Sequence, residues 1–177
     1  MNWVDCVTQW DHEAPRRQIL IPARGQHEVK LDAKGRFPMP ARIRELIGEY
    51  GHKALVTAYW NGRLRIYSMD DWEQIELRWA NDPEFSDEDA LYAFIANAEE
   101  GKLDKSGRLR LPNHLREWAD IANEAVIVGL GRIGVLEVWN PEAYQRRVVA
   151  ARQGSDRKGD MSRLTIPMRI PAPGEKS

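Results

Sequence analysis

The sequence is poor in the residues that build covalently or metal-held scaffolds. Its 177 residues include one cysteine, Cys6, so no disulfide framework can staple the chain. The four histidines, His12, His27, His52 and His114, stand far apart. None has a second ligand-type residue at metal spacing, which excludes the common zinc patterns. No apolar run approaches the roughly 18–20 residues of a membrane span. Met1–Leu20 also carries Asp5, Asp11 and Glu13 where a secretory leader needs an unbroken apolar block. These absences point to a cytoplasmic protein held together by its core, with neither metal nor cofactor expected.

Net charge is nearly absent too, at −1, and that total on its own argues against a polyanion-binding protein. Along the chain the charge is segregated. Lys30–Arg44 holds five basic residues (Lys30, Lys34, Arg36, Arg42, Arg44) against Asp32. Lys102–Arg116 repeats the excess, with Lys102, Lys105, Arg108, Arg110 and Arg116 against Asp104. Between them, Asp70–Glu100 carries eleven acidic residues and one base, Arg78. What a surface attracts depends on this segregation rather than on the sum.

The two basic stretches are one phrase written twice. LDAKGRFPMPARIR at Leu31–Arg44 returns as LDKSGRLRLPNHLR at Leu103–Arg116, an offset of 72 residues. Asp32, Gly35, Arg36, Pro40 and Arg44 fall on Asp104, Gly107, Arg108, Pro112 and Arg116. The echo runs on through Ala54-Leu55-Val56 on Val126-Ile127-Val128 to Trp72 on Tyr144. About 40 aligned residues without a gap, apolar on apolar, mean one unit used twice.

Within each unit the pattern reads strand, turn, strand, short helix, then two more strands. In the first, His27, Val29 and Leu31 alternate with polar residues as in a strand. Asp32-Ala33-Lys34-Gly35 is a turn, since Asp can bond its own downstream backbone and Gly accepts a positive φ. Pro38 interrupts the following strand and implies an edge or bulge, whereas Leu109-Arg110-Leu111 alternates cleanly. Pro40 and Pro112 suit the first position of a helix, and Ile43, Leu46 and Ile47, like Leu115, Trp118 and Ala119, recur at helical spacing. Asn61-Gly62 separates the strands Ala54–Tyr59 and Leu64–Tyr67, and a glycine-rich stretch separates Ala125–Val128 from Val135–Trp139. Ser68 or Asp70, and Asn140-Pro141, are helix starts, with Trp72, Ile75 and Trp79 as one buried stripe and Tyr144 and Val148 as the other. In the connector, Ser86 ahead of Asp87, Glu88 and Asp89 caps a helix with Leu91, Phe94, Ile95 and Ala98 on its apolar face.

The chain is thus expected to divide into a flexible N-terminal arm (1–25), a first unit (26–73), an acidic connector helix region (74–97), a second unit (98–141), a C-terminal helix (142–152) and a disordered tail (153–177). The class is mainly β with short helices, α+β.

Enzymatic readings fail on context. Gly129-Leu130-Gly131-Arg132-Ile133-Gly134 fits the dinucleotide pattern G-x-G-x-x-G, but Val135–Trp139 alternates as a strand where a helix must receive the pyrophosphate. Ser106, in the second basic turn, has Lys34 as its counterpart in the first copy, so a nucleophile there would belong to one copy only.

The doubled D-x-x-G-R turn, each followed by a strand and P-x-x-(I/L)-R, together with the VIVG…EVW ending, resembles the MraZ family of bacterial transcription regulators, built from two SpoVT-AbrB-type units. The match covers Gln26 to Val148. The resemblance implies a tandem swapped-hairpin AbrB-like β-barrel with a pseudo-twofold axis inside one chain, and subunits closed into a ring-like homo-oligomer. It also implies a nucleoid-associated repressor that binds direct repeats in double-stranded DNA, upstream of the division and cell-wall gene cluster and at its own promoter. Asp32, Arg36, Asp104 and Arg108 fall in the family's D-x-x-x-R signature for DNA. Lys34 and Lys105 would add phosphate contacts, while Arg42, Arg44, Arg110 and Arg116 rank behind as barrel cover. Two departures stand out: Asp87-Glu88-Asp89-Ala90-Leu91-Tyr92 replaces expected arginines on the connector helix, and Pro38 breaks the first motif's strand.

The plain alternative makes the Asp–Arg pairs turn-stabilising ion pairs on a solvated surface, worth about 0–1 kcal/mol each. Two other functions compete with DNA reading: an AbrB-like interaction module for a protein partner such as a toxin, and a nucleotide-dependent enzyme using the glycine run.

Overall fold

The computed structural model describes residues 23–51, 54–81, 89, 91–131 and 135–158. The expected arm lies outside these up to residue 22, as do the tail beyond 158, the Ser86 cap with Asp87 and Glu88, and residues 132–134 of the glycine run. In chain order the elements are β1 (Arg24–Lys30), β2 (Arg36–Pro38), α1 (Ala41–Glu49), β3 (Leu55–Trp60), β4 (Arg63–Ser68) and α2 (Met69–Asn81). A single π-helical turn (Leu91–Ile95) follows, then β5 (Glu99–Gly101), β6 (Arg108–Arg110), α3 (Asn113–Trp118), β7 (Glu124–Leu130), β8 (Leu136–Trp139) and α4 (Pro141–Lys158). The chain up to Asn140 is one compact unit, and α4 belongs to a second.

The duplicated halves interlock. β1 does not pair with β2 after the first turn. It pairs antiparallel with β7 of the other half, from Arg24↔Leu130 to Lys30↔Glu124. β5 does the reciprocal thing, pairing with β3 of the first half. The sheet order β1-β7-β8-β4-β3-β5 is therefore unchanged when the halves are exchanged. At its centre β4 meets β8 with Arg65 opposite Glu137, two residues 72 apart, so the pseudo-twofold axis runs between them. The axis also passes through the two-stranded ribbon β2–β6, where Phe37 lies opposite Leu109.

The expected mainly β architecture with swapped hairpins is present, but the sheet stays open. Six strands form one antiparallel sheet with β1 and β5 at its edges, and β2–β6 is a separate ribbon, so the barrel expected from the family is not closed. The ribbon instead lids the sheet through its inward residues. Phe37 and Leu109 from the ribbon, Leu111 just after it, and Ile43 and Leu115 from α1 and α3 are buried with Leu64, Ile66, Ile127, Leu136 and Val138 from the sheet. Each such side chain contributes about 1.5–3 kcal/mol on burial.

Local chemistry explains most boundaries. Pro40 and Pro112 occupy the N-caps of α1 and α3, one residue before the first helical position expected for them, with extended ψ of 139° and 144°. Ser68 Oγ accepts the Asp71 N–H at 3.2 Å, capping α2. Asn61 and Gly62, with φ of 46° and 79°, form the left-handed two-residue turn that matches strand twist. On the other face of the sheet Val56, Ala58, Tyr67, Trp72 and Phe94 form a second cluster, in which Phe94 lies 5.0 Å from Trp60 and 5.1 Å from Trp72.

Two apolar stripes come out narrower than expected. The connector turn is wound with an i→i+5 bond, Ala96 N–H to Leu91 O at 3.1 Å. That wider winding aims Phe94 inward and leaves Leu91 40% exposed. Leu115 in α3 and Ala119 at its C-cap are buried, but Trp118 is 44% exposed. A helix of six residues is too short to bury a third position, and the indole lies edge-on to Tyr59 at 5.6 Å.

α4, taken by itself, carries Glu142 in its first turn, where a carboxylate complements the helix dipole. Glu142 also pairs with Arg146 at 3.7 Å. Among the described residues no helix is long and apolar enough to cross a membrane.

Candidate nucleic-acid interface

Each basic phrase folds into the same five-residue loop. In the first, Asp32 N–H donates to Arg36 O and Gly35 N–H donates to Asp32 O, both at 2.8 Å. In the second, Asp104 and Gly107 make the corresponding bonds to Arg108 O and Asp104 O, both at 2.9 Å. Gly35 and Gly107 have φ of +72° and +71°, the left-handed residue that closes such a turn. The aspartate then ties the loop from inside. Asp32 Oδ1 accepts the Lys34 and Arg36 N–H groups at 2.9 and 3.0 Å; Asp104 Oδ1 accepts those of Ser106 and Arg108 at 2.8 and 2.9 Å.

The swapped topology brings the two turns side by side. Arg36 holds Asp32 Oδ2 through Nε at 2.9 Å and Nη2 at 2.8 Å, and its Nη1 reaches Asp104 Oδ2 of the other turn at 3.6 Å. Arg108 crosses back, its Nη1 lying 3.4 Å from the same Asp32 Oδ2. The sequence pairs Asp32 with Arg36 and Asp104 with Arg108; the first ion pair forms, but Asp104 holds Arg108 only by its backbone N–H, while the Arg108 guanidinium goes to Asp32. The cross-pairing Arg36–Asp104 and Arg108–Asp32 is invisible without the topology. One chain therefore presents one composite tip rather than two separate ones, and Lys34 and Lys105, both exposed, flank it.

The electrostatics keep this network charged. The Arg36 backbone N–H, with help from its guanidinium and from the Lys34 N–H, holds the Asp32 carboxyl down to about 2 against the cost of burial. The Arg108 N–H lowers Asp104 in the same way. The arginine side chains keep 35% and 44% of their surface exposed.

Of the secondary arginines, Arg44 and Arg116 lie against the turn glycines. A Cβ on Gly107 would lie 2.7 Å from Arg44 Cδ, and one on Gly35 would lie 3.0 Å from both Arg116 Nε and Leu111 O. Each half's helix arginine thus braces the other half's turn. The repeated arginine four residues after each proline was the available signal, though its partner lay in the other copy. Arg42 pairs with Glu45 at 3.2 Å on α1, away from the tip. Arg110 stands on the ribbon and is exposed.

Pro38 also finds its reason. Met39 N–H donates to Gly107 O and Leu111 N–H to Gly35 O, which by antiparallel alternation makes 36, 38, 108 and 110 the non-bonded positions of the ribbon. A missing N–H at 38 costs no ladder bond.

The glycine run has no nucleotide geometry around its described part. β7 and β8 pair antiparallel through it, with Gly129 opposite Leu136. Gly129 is required because a Cβ there would meet the Ala23 backbone at 2.5 Å.

Two interlocked copies of one half, each adding a strand to the other, make this a tandem swapped-hairpin protein. The family model described as "MraZ protein, putative antitoxin-like" matches residues 23–92 and 94–165, and the chain belongs to the MraZ family. It is 40% identical over 123 residues to the "Transcriptional regulator MraZ" of Carboxydothermus hydrogenoformans, covering 68% of this chain and 82% of that one. The proteins of the same name from Caldanaerobacter subterraneus subsp. tengcongensis and Hydrogenovibrio crunogenus are 34% identical over 123 residues and 36% over 125. Each alignment covers 68% of this chain, and 82% and 81% of the respective relative. These relatives are named as regulators, not as enzymes. The solution structure of PHS018 from Pyrococcus horikoshii overlays 64% of this chain and 84% of its own at 14% identity, with a TM-score of 0.27, too loosely to carry an inference.

Proposed function

We propose that the chain is a sequence-specific, double-stranded-DNA-binding transcriptional regulator, acting as a repressor. It reads direct repeats upstream of the division and cell-wall gene cluster, its own promoter included, as a ring-like homo-oligomer on the nucleoid. The observation that carries this is the merging of both D-x-x-G-R turns into one solvent-facing ribbon, where Lys34, Arg36, Lys105, Arg108 and Arg110 stand against Asp32 and Asp104. A two-stranded antiparallel ribbon fits the major groove, and an arginine bidentate to a guanine edge is worth about 1–3 kcal/mol of discrimination. The aspartates orient Arg36 and Arg108 before contact, and Lys34 and Lys105 take phosphates. One tip is a weak reader, and a ring repeating it gains by effective concentration on repeated sites. The relatives' shared name supports the same reading.

The test is binding to a duplex carrying the direct repeats upstream of the chain's own gene, with Arg36→Ala/Arg108→Ala beside the wild type. The wild type should bind with a salt slope of about −0.9 per phosphate neutralised, and the double variant should lose binding. Wild-type affinity in the double variant would take the ribbon off the DNA. The antitoxin-like wording of the family description favours a second reading, an interaction module for a protein partner such as a toxin. Loss of function on removing Gln153–Ser177, with DNA binding intact, would support that one.

A further inference from the structure

The ribbon places one arginine directly opposite another. These are Arg36 on β2 and Arg110 on β6, at a non-bonded position of the kind where Cα atoms come within roughly 4.5 Å. Like charges directly opposite destabilise a strand pair. The aspartates answer only part of this. Asp32 is taken by the Lys34 and Arg36 N–H groups and by the Arg36 and Arg108 guanidiniums. Asp104 is taken by the Ser106 and Arg108 N–H groups and by Arg36. Arg110 has no carboxylate partner among the described residues. Its pseudo-symmetric counterpart is Pro38, which faces Arg108 and adds no charge. A local rule broken without internal compensation is expected where a partner supplies it.

We infer that Arg110 is a third DNA-contacting arginine of the ribbon, with a phosphate or base edge relieving its opposition to Arg36. Because only one half carries it, Arg110 gives the ribbon a direction along the duplex. The inference rests on the DNA-binding reading above.

The probe is the full chain on the same promoter duplex, and on that duplex with alternate repeats inverted. Arg110→Ala should fold as stably as the wild type or more so, since it removes a repulsion. It should bind about tenfold or more weakly, with a salt slope shallower by about one if the contact is a phosphate. The preference for direct over inverted repeats should shrink in this variant. Arg42→Ala, an exposed arginine off the ribbon, should bind like the wild type. Unchanged affinity in Arg110→Ala, or an equal loss in Arg42→Ala, overturns the contact, and an unchanged orientation preference overturns the polarity. Arg36→Ala/Arg108→Ala separates the two levels. Where that variant loses binding and Arg110→Ala does not, this inference alone fails; where that variant binds normally, the DNA reading fails with it.

Discussion

At the scale of single residues the aspartates matter more for where they place charge than for stability. Asp32 is held down to about 2 chiefly by the Arg36 N–H. A carboxyl depressed on folding contributes stability that is complete above its unfolded value, near 3.9, and is lost as pH falls through the folded one. Acid titration followed by circular dichroism should therefore show the contribution of Asp32 fading between about pH 4 and pH 2 and absent from Asp32→Asn. DNA affinity should show no step from these carboxyls between about pH 5 and pH 8, where both are fully ionised. The turn glycines are stricter. Gly107→Ala imposes a positive φ of 71° on a side chain whose Cβ would stand 2.7 Å from Arg44. It should cost about 1–3 kcal/mol in chemical denaturation, more than Gly62→Ala, where the space is open.

At the scale of elements, the pairing of unlike halves meets on the axis. Glu137, 6% exposed, accepts Arg63 Nε at 2.7 Å, Arg65 Nε at 3.1 Å and Trp139 Nε1 at 3.0 Å. Arg63 lies over Trp139 and Arg65 over Trp60. Removing the carboxylate strands two partly buried arginines, so Glu137→Ala should lose about 3–5 kcal/mol, a fall of about 6–20 °C in Tm. Arg65→Ala, which leaves Arg63 as a partner, should lose less. The elements themselves were legible: duplication fixed their order, Pro40 and Pro112 the helix starts, and Asp–Gly spacing the turns. Their partners were not, because both halves have the same periodicity. Alternation at Gln26–Leu31 cannot say whether that strand pairs within its own half or with Glu124–Leu130. Trp118 was misplaced for a related reason, as helical spacing marks a face but not how far the core extends beneath it.

At the scale of the whole molecule, a net charge of −1 hides a cationic ribbon, and the fold makes that segregation matter by bringing the two basic phrases together across the pseudo-twofold axis. A chain that reads DNA through this ribbon must bury both turns against the duplex at once. Backbone hydrogen exchange of the full chain, with and without its promoter duplex, tests this most directly. Matched protection is expected at residues 32–38 and 104–110 on adding DNA, absent with Arg36→Ala/Arg108→Ala. Protection confined to one turn, or found elsewhere while both turns exchange as in the free protein, would contradict it.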